Sequence, residues 1–294
     1  MTEKTVMTKK YSYLLISILY VISVFMFTSC SARTYEKNSY EISEVFSNID
    51  INLSNGDIKI LPSTDGKCNI ECKELKNLKY SAMVSDNTLK ITEEDDRYFF
   101  QKWFGTGEAG VTIYLPEYAY NSVMINNTTG DTYVENLRAS TFSVECTTGD
   151  IQLESLNVDG KVGLSVTTGD IIIKHLSCSD ITIDSTTGDK YFSDISCNSI
   201  FVESSTGDCN MTSVIATNKI TIDVTTSDIC FDKCDAAEIE IKATTGDVKG
   251  NFLTDKIVFA HTTTGKVNVP QSTVGGKCTI ETTTGDIKIT ITGK

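Results

Sequence analysis

Aspartate residues recur at a regular spacing through the second half of the sequence, and their carboxylates are the first groups to consider for chemistry. Asp131, Asp150, Asp170 and Asp189 each follow a glycine, at intervals of 19, 20 and 19 residues. Carboxylates stacked about 4.8 Å apart repel one another unless they bind cations such as calcium or accept hydrogen bonds. The spacing differs from the nine-residue glycine-rich calcium repeat, and Lys266 takes the aspartate position in one copy. We therefore predict hydrogen-bonded turns, with no metal site and no cofactor.

Groups suited to acid–base or nucleophilic catalysis are sparse. The two histidines, His175 and His261, fall at outward positions of different repeats, which argues against a zinc site and against a Ser-His-Asp or Cys-His arrangement. The acids away from the repeated position are scattered, namely Glu135, Glu154, Asp194 and Asp232. We predict no catalytic residues and no enzyme activity. A carbohydrate-active β-helix remains the alternative, because neighbouring coils can bring two carboxylates together.

The ten cysteines would ordinarily indicate disulfides in an exported chain, but their positions indicate buried thiols. Five of them fall in inward or small-residue columns of the repeat: Cys178, Cys197, Cys209, Cys234 and Cys278. A thiol behaves there as a small apolar side chain. Pairing of Cys68 with Cys72, or of Cys178 with Cys197, stays open.

The aspartate belongs to a four-residue phrase, Thr-Thr-Gly-Asp, that recurs nine times between residues 127 and 286, with Ser227 in place of glycine in one copy. A period this regular is typical of a repeat architecture. We predict that each phrase is a corner, where glycine allows positive φ or close approach and Thr and Asp side chains bond the amides of the turn. The corner residues of the first four copies are Thr129, Gly130, Asp131, Thr148, Gly149, Asp150, Thr168, Gly169, Asp170, Thr187, Gly188 and Asp189.

Apolar and polar residues alternate on both sides of the phrase. Positions five and seven residues before the glycine are apolar in every copy, as at Ile125 and Val123, with polar residues between most of them. This period of two predicts half-buried strands. After the corner, the step of three between apolar columns, as from Val134 to Leu137, predicts a bend. Residues 121–294 are therefore predicted to form an all-β, parallel β-solenoid of about nine 19–20-residue coils.

Residues 41–120 have strand patterns without the regular period, and we predict an irregular β cap that covers the first coil. Asn55, Gly56 and Asp57 resemble a degenerate corner, which we expect to be offset from the array. Residues 93–110 form a charged, aromatic excursion that either closes a small core or exposes a contact patch. The residues of this possible contact loop are Tyr98, Phe99, Phe100, Trp103 and Phe104.

The first 29 residues combine a basic start with an uncharged apolar run from Tyr11 to Ser29, which is typical of a signal peptide or membrane anchor. The run ends at Cys30, as in bacterial lipoprotein signals, so we expect lipidation of Cys30, with an uncleaved anchor or simple secretion as alternatives. Residues 30–40 are predicted to be a tether. The remainder is expected to be extracytoplasmic, held at the bacterial cell membrane by a lipid or an N-terminal helix.

The formal net charge of −13 argues against nucleic acid and anionic lipid headgroups as partners. After the predicted last corner, Lys288 and Lys294 are expected to lie on an open strand edge, where such charges discourage strand addition. End-to-end dimerisation through this edge is a further prediction.

The Val111–Pro116 strand and the repeated Thr-Thr-Gly-Asp-Ile phrase resemble the bacterial putative-adhesin family of unknown function over residues 45–294. The resemblance implies a cell-envelope protein with a β-solenoid ectodomain and no assigned catalysis. Our own hypothesis is a non-enzymatic adhesin or surface scaffold that binds an envelope protein or a glycan. An accessory role in envelope-stress signalling is the other alternative. The family defines no functional residues, so none is carried over.

Overall fold

The computed structural model describes residues 34–97 and 107–292. These residues fold entirely as β-strands and their connections, which confirms the predicted all-β class. A search of the described residues for a helix of the length and apolarity needed to cross a membrane found none. The predicted signal or anchor, Cys30 and the contact loop of Tyr98, Phe99, Phe100, Trp103 and Phe104 lie outside the described residues.

Seven strands precede the regular coils: β1 (Glu36–Ile42), β2 (Asn48–Asn55), β3 (Asp57–Pro62), β4 (Cys68–Glu74), β5 (Leu78–Ser85), β6 (Thr88–Asp95) and β7 (Gly110–Leu115). The next eight are β8 (Ala119–Thr129), β9 (Thr132–Glu135), β10 (Arg138–Thr148), β11 (Ile151–Val158), β12 (Lys161–Thr168), β13 (Ile171–Ser177), β14 (Asp180–Thr187) and β15 (Lys190–Thr206). The last seven are β16 (Cys209–Thr226), β17 (Ile229–Thr245), β18 (Val248–Phe252), β19 (Lys256–Thr264), β20 (Val267–Asn268), β21 (Gly276–Thr284) and β22 (Ile287–Ile291).

Strands one repeat apart pair in parallel, as a β-solenoid requires. Val144 of β10 lies beside Leu164 of β12, and Leu164 lies beside Ile183 of β14. The predicted inward columns are buried, with Val144 and Ile183 fully inaccessible to solvent. The predicted parallel solenoid is thus confirmed, and its core runs along the inside of the coils.

The corner is built around a glycine whose conformation excludes other residues. Gly149 has a φ of +144°, and a Cβ atom on it would lie 2.1 Å from the carbonyl oxygen of Gly130. Its amide donates to the carbonyl oxygen of Thr168 in the next coil (3.0 Å). Ser227, the one non-glycine in the column, has no positive φ and instead donates its hydroxyl to the Gly207 carbonyl (2.7 Å).

The aspartate supplies the next rung of the corner. The Asp150 amide donates to Oδ1 of Asp131 (2.9 Å) and the Asp170 amide to Oδ1 of Asp150 (2.8 Å). Nine such bonds of 2.7–3.0 Å connect ten successive corners. Each amide hydrogen bond satisfies one carboxylate oxygen of the preceding corner, so the aspartates can stack along one line. We call this row the corner ladder.

Glycine carbonyl oxygens at several corners accept hydrogen bonds from side chains of the interior. Asn127 Nδ2 donates to the carbonyls of Gly56 (3.0 Å) and Gly130 (3.1 Å). Lys190, which is fully buried, donates to those of Gly188 (2.8 Å) and Gly207 (3.1 Å). Buried carbonyls need such donors, so the core beneath the corners tolerates polar side chains.

The predicted bend after the corner is confirmed by backbone angles. The residue six positions after the corner glycine, or after Ser227 in its place, has a φ of 52–59° in six successive coils, which is the left-handed region. These residues are Asn136, Ser155, His175, Asp194, Ser213 and Lys233. A single left-handed residue between two extended segments redirects the chain, so each coil folds back toward its next strand.

The cap begins with a coil that belongs to the stack. β2 pairs in parallel with β8, and β3 with β9. Gly56 donates its amide to Thr129 (2.9 Å), and Asp57 Oδ1 accepts the Asp131 amide (3.0 Å). The expectation that this corner is offset from the array is therefore wrong, because irregular spacing in the sequence does not prevent stacking in space. β6 and β7 pair onto the outer edge of this first coil, and β4 and β5 extend the cover.

The opposite end has an order that departs from the sequence. β17 pairs with β21, and β21 pairs on its other side with β19. The last coil in sequence therefore lies between its two predecessors, and the coil of β19 and β20 becomes the end. The predicted open edge is wrong, because Lys288 lies between Lys249 and Asn268; Lys294 lies outside the described residues.

Candidate functional site

A groove of about 410 Å³ lies where the cap meets the first regular coils. Four chain segments line it: the end of β3 at Leu61, the connection from Leu115 to Tyr118, and the bends of the next two coils near Arg138 and Asn157. Its volume falls within the range of small-molecule sites, about 300–1,000 Å³. We call it the cap groove.

Tyr118 is the exposed aromatic side chain of the cap groove. Pro116 accepts the Tyr118 amide in a tight turn (2.8 Å) and also the Tyr120 hydroxyl (3.0 Å). The Tyr120 ring is buried and stacks on Phe46 with centroids 5.9 Å apart. The Tyr118 ring lies 6.4 Å from that of Tyr120 and is 61% exposed. The buried tyrosine thus holds the turn that presents the exposed one.

Polar groups converge on the same groove from the first bend. Glu135 accepts hydrogen bonds from Asn136 Nδ2 (3.3 Å) and from the Tyr133 hydroxyl (3.1 Å). Arg138 lies beside Asn157 in the ladder and forms no ion pair with any residue in the described part of the chain. The groove therefore combines an aromatic face, a carboxylate, amides and an available guanidinium.

Such a set of groups suits a polyhydroxylated ligand. An aromatic ring offers a large apolar face with little conformational freedom, and the amide, carboxylate and guanidinium groups donate to and accept from hydroxyls. The sequence analysis named Glu135 only as one of several scattered acids and did not identify Tyr118 or Arg138. The available signal was the Pro-Glu-Tyr interruption directly after the Val111–Leu115 strand.

Glu135 and Glu154 form a carboxylate pair whose spacing can be compared with that of the two catalytic carboxyl groups of a glycosidase. They are neighbours in register on β9 and β11, and both accept from the Tyr133 hydroxyl, at 3.1 and 3.4 Å. Partial burial, together with these two carboxylates, raises the pKa of Tyr133 to about 12. Retaining glycosidases place their carboxyl groups about 5–5.5 Å apart, a separation that residues on adjacent strands can reach.

The remaining candidates for metal or thiol chemistry are separated or buried. In the described ranges, no group of three or more His, Cys, Asp or Glu side chains is placed to hold a metal ion. His175 lies 3.6 Å from Asp194 on the surface, far along the chain from His261. Nine cysteines are described, all as free thiols. Burial raises the pKa of Cys209 and Cys278 to about 12, which keeps these thiols protonated.

A larger cleft of about 630 Å³ lies within the cap, lined by three lysines that include Lys37 and Lys59. Acidic side chains share this lining, and Lys73 forms an ion pair with Glu108 there. Among the described residues that line this cleft, none is aromatic. The cap groove is therefore the better candidate, although it is smaller.

A family model described as Toastrack DUF4097 matches residues 46–194 and 180–294. Among solved structures, the chain is similar to a putative adhesin from Bacteroides fragilis, with 18% identity, a TM-score of 0.49, and coverage of 88% of this chain and 98% of that one. It is also similar to a putative lipid binding protein from Parabacteroides distasonis, with 13% identity, a TM-score of 0.47, and coverage of 74% and 97%. No curated protein matches the chain.

Proposed function

We propose that this chain, which belongs to the Toastrack DUF4097 family, is a non-enzymatic β-solenoid of the cell envelope that binds a glycan in the cap groove. The observation that carries the proposal is the exposed Tyr118 ring above a groove lined by Glu135, Asn136 and Arg138. An aromatic platform surrounded by hydrogen-bonding side chains is the chemistry that recognises a sugar ring.

The proposal extends to display from the membrane. Ten stacked corners at about 4.8 Å each give a rod of roughly 43 Å. Lipidation of Cys30 would tether the chain by its N-terminal segment, which directly precedes the cap in the sequence. A rigid rod joined to a lipid anchor suits an adhesin or surface scaffold, which needs binding without chemical turnover.

The test is a screen of the full chain, purified in detergent, against an array of polysaccharide fragments, followed by calorimetric titration of the fragments that bind. Tyr118→Ala should weaken binding at least about tenfold, since an aromatic contact contributes about 0.5–1.5 kcal/mol beyond its buried area. Tyr191→Ala is the matched control, because Tyr191 is also an exposed tyrosine but lies on a distant coil. Equal affinities for wild type and Tyr118→Ala would exclude the cap groove as the glycan-binding site.

A second candidate function is glycoside hydrolysis by the carboxylate pair, favoured by the register of Glu135 with Glu154. Its test is release of reducing sugar from the fragments that bind. Product formation by the wild type that Glu135→Gln and Glu154→Gln each abolish would replace the non-enzymatic proposal. Binding without release supports the scaffold.

A further inference from the structure

We propose that two copies of this chain associate end to end through β19, forming a continuous rod with a cap at each outer end. The inference goes beyond ligand binding and concerns the opposite end of the solenoid from the cap groove. It follows from the position of the coil that contains β19 and β20, which we call the end coil.

The end coil pairs on one side only. β19 bonds to β21 and β20 bonds to β22, and no strand in the described part of the chain pairs with their outer edges. At the other end of the stack, the outer edge of the first coil is covered by β6 and β7. Solenoids need such terminal covers to protect the core, and one end here has none among the described residues.

Apolar side chains that belong to the core columns are accessible at the end coil. Val267 is 45% exposed, whereas Ile287, its neighbour in the same column, is 0% exposed. Val258 and Ala260 are part-exposed, although their neighbours Cys278 and Ile280 are fully buried. Phe259, on the outer face of the same strand, is 58% exposed. Together they form an apolar strip beside an unpaired strand edge.

The charges of the end coil permit a second copy to approach. The whole chain has a net charge of −13, so its sides repel another copy, but β19 contains no carboxylate. Its lysine, Lys256, is buried and paired with Asp235. The corner ladder also ends without a carboxylate, because Lys266 donates its amide to Asp286 (2.8 Å) and no further described corner follows it.

The geometry of strand pairing favours another copy of β19. A two-fold axis perpendicular to the rod would place the two β19 strands antiparallel, as in an isologous dimer. In a register centred on Ala260, Val258 faces Thr262 of the second copy and Phe259 faces His261. Residues two apart point to the same side of a strand, so the inward columns of both copies meet and the two cores join. β19 also has no proline and no inward unpaired charge, the features that commonly block edge pairing.

The experiment is sedimentation equilibrium of the full chain in detergent, which should give twice the chain mass. Ala260→Lys should raise the dimer dissociation constant at least tenfold, because it places an inward charge in the interface. Thr182→Lys is the matched control, since it adds the same charge at an exposed strand position in the middle of the rod, and it should leave the dimer intact. Unchanged circular dichroism of both variants would show that they fold.

A photoreactive benzoylphenylalanine at position 259 distinguishes this interface from association through the N-terminal segment. Cross-links to residues 256–264 of a second copy are expected. A monomeric wild type, a dimer unaffected by Ala260→Lys, or cross-links only to residues 1–33 or to another protein in cells would each overturn the proposal. None of these outcomes depends on glycan binding.

Discussion

The amide of Asp286 donates to Oδ1 of Asp247 at 2.8 Å, although the two aspartates are 39 residues apart. The corner that lies between them in sequence, at Lys266, sits beyond Asp286 and bonds to it in turn. The chain therefore leaves the coil of Asp247, forms the end coil, and returns to fill the space between them. Gly275 and Gly276 mark the return, because Cβ atoms there would lie 1.8 Å from the Asp255 carbonyl oxygen and 2.3 Å from that of Ala237.

Replacing a corner glycine should be far more damaging than replacing a strand glycine in the same coil. Gly169 has a φ of +151°, and its Cβ would lie 2.0 Å from the Gly149 carbonyl oxygen. We expect Gly169→Ala to lower the free energy of unfolding by about 3–5 kcal/mol, from strain and steric overlap together. Gly163→Ala is the control, because nothing lies within 4 Å of its added Cβ. Urea unfolding measures the free energy of unfolding of both variants. Equal losses would contradict the claim that the corner requires glycine.

The corner ladder should depend on the Asp side chain as an acceptor and not on its charge. Oδ1 of Asp170 accepts the Asp189 amide at 2.7 Å. Asp170→Ala should cost about 1–2 kcal/mol of unfolding free energy, because it removes that acceptor. Asp170→Asn keeps an acceptor oxygen and relieves repulsion within the column, so it should be close to neutral. If both variants lose the same stability, the charge and not the hydrogen bond is what matters.

Lys190 should make stability depend on pH in the alkaline range. Burial lowers the pKa of Lys190 below its ordinary value of 10.5, so between the lowered value and 10.5 the unfolded chain binds more protons than the folded one. Stability then rises with pH across that interval, by up to about 1.4 kcal/mol per pH unit. Lys190→Met lacks this contribution, so the stability of the wild type relative to the variant should increase from pH 7 to pH 10. A difference that stays constant would rule out the lowered pKa.

The buried thiols should be protected from alkylation in the folded protein. With the pKa of Cys209 and Cys278 raised to about 12, their thiolate fraction at pH 8 is on the order of 10³-fold below that of an ordinary cysteine. Iodoacetamide should modify all nine described cysteines in urea. Without urea, Cys178 and Cys230, which are part-exposed whereas the other described cysteines are buried, should react first. Peptide mass spectrometry reports both, and disulfide-linked peptides before unfolding would contradict the assignment of nine free thiols.

The regular coils could be predicted from sequence because each recurring residue type meets one local structural requirement of the coil, such as a corner or a bend. Gly130 and Asp131 reveal a corner through backbone freedom and a side-chain acceptor, and the step from Val134 to Leu137 reveals the bend. The position of the last coil could not be predicted in this way. Identical corners accept one another in any order, so the Asp247–Asp286 bond competes on equal terms with a bond from Asp247 to the corner of Lys266.

The cap groove was beyond prediction for a related reason. Leu61, Tyr118 and Arg138 come from three segments that only the stacking of the first coil brings together. Gly56 is the sequence signal for that coil. Its irregular distance from Gly130 suggested a corner outside the stack, so the signal was misread. The aromatic cluster that the sequence does predict as a contact loop, around Trp103, lies outside the described residues.

The order of the coils, on which the corner ladder and the exposed end coil both depend, can be measured by engineered disulfides. Thr245 and Thr284 are direct neighbours in the ladder, as are Thr284 and Thr264. Neighbouring strands are about 4.8 Å apart, within the Cα range of a disulfide, about 4.4–6.8 Å, whereas Thr245 and Thr264 are two strands apart. Mild oxidation should therefore link the Thr245→Cys, Thr284→Cys variant and leave the Thr245→Cys, Thr264→Cys variant unlinked. A disulfide in the second variant and none in the first would show that the coils stack in sequence order and that the end coil is elsewhere.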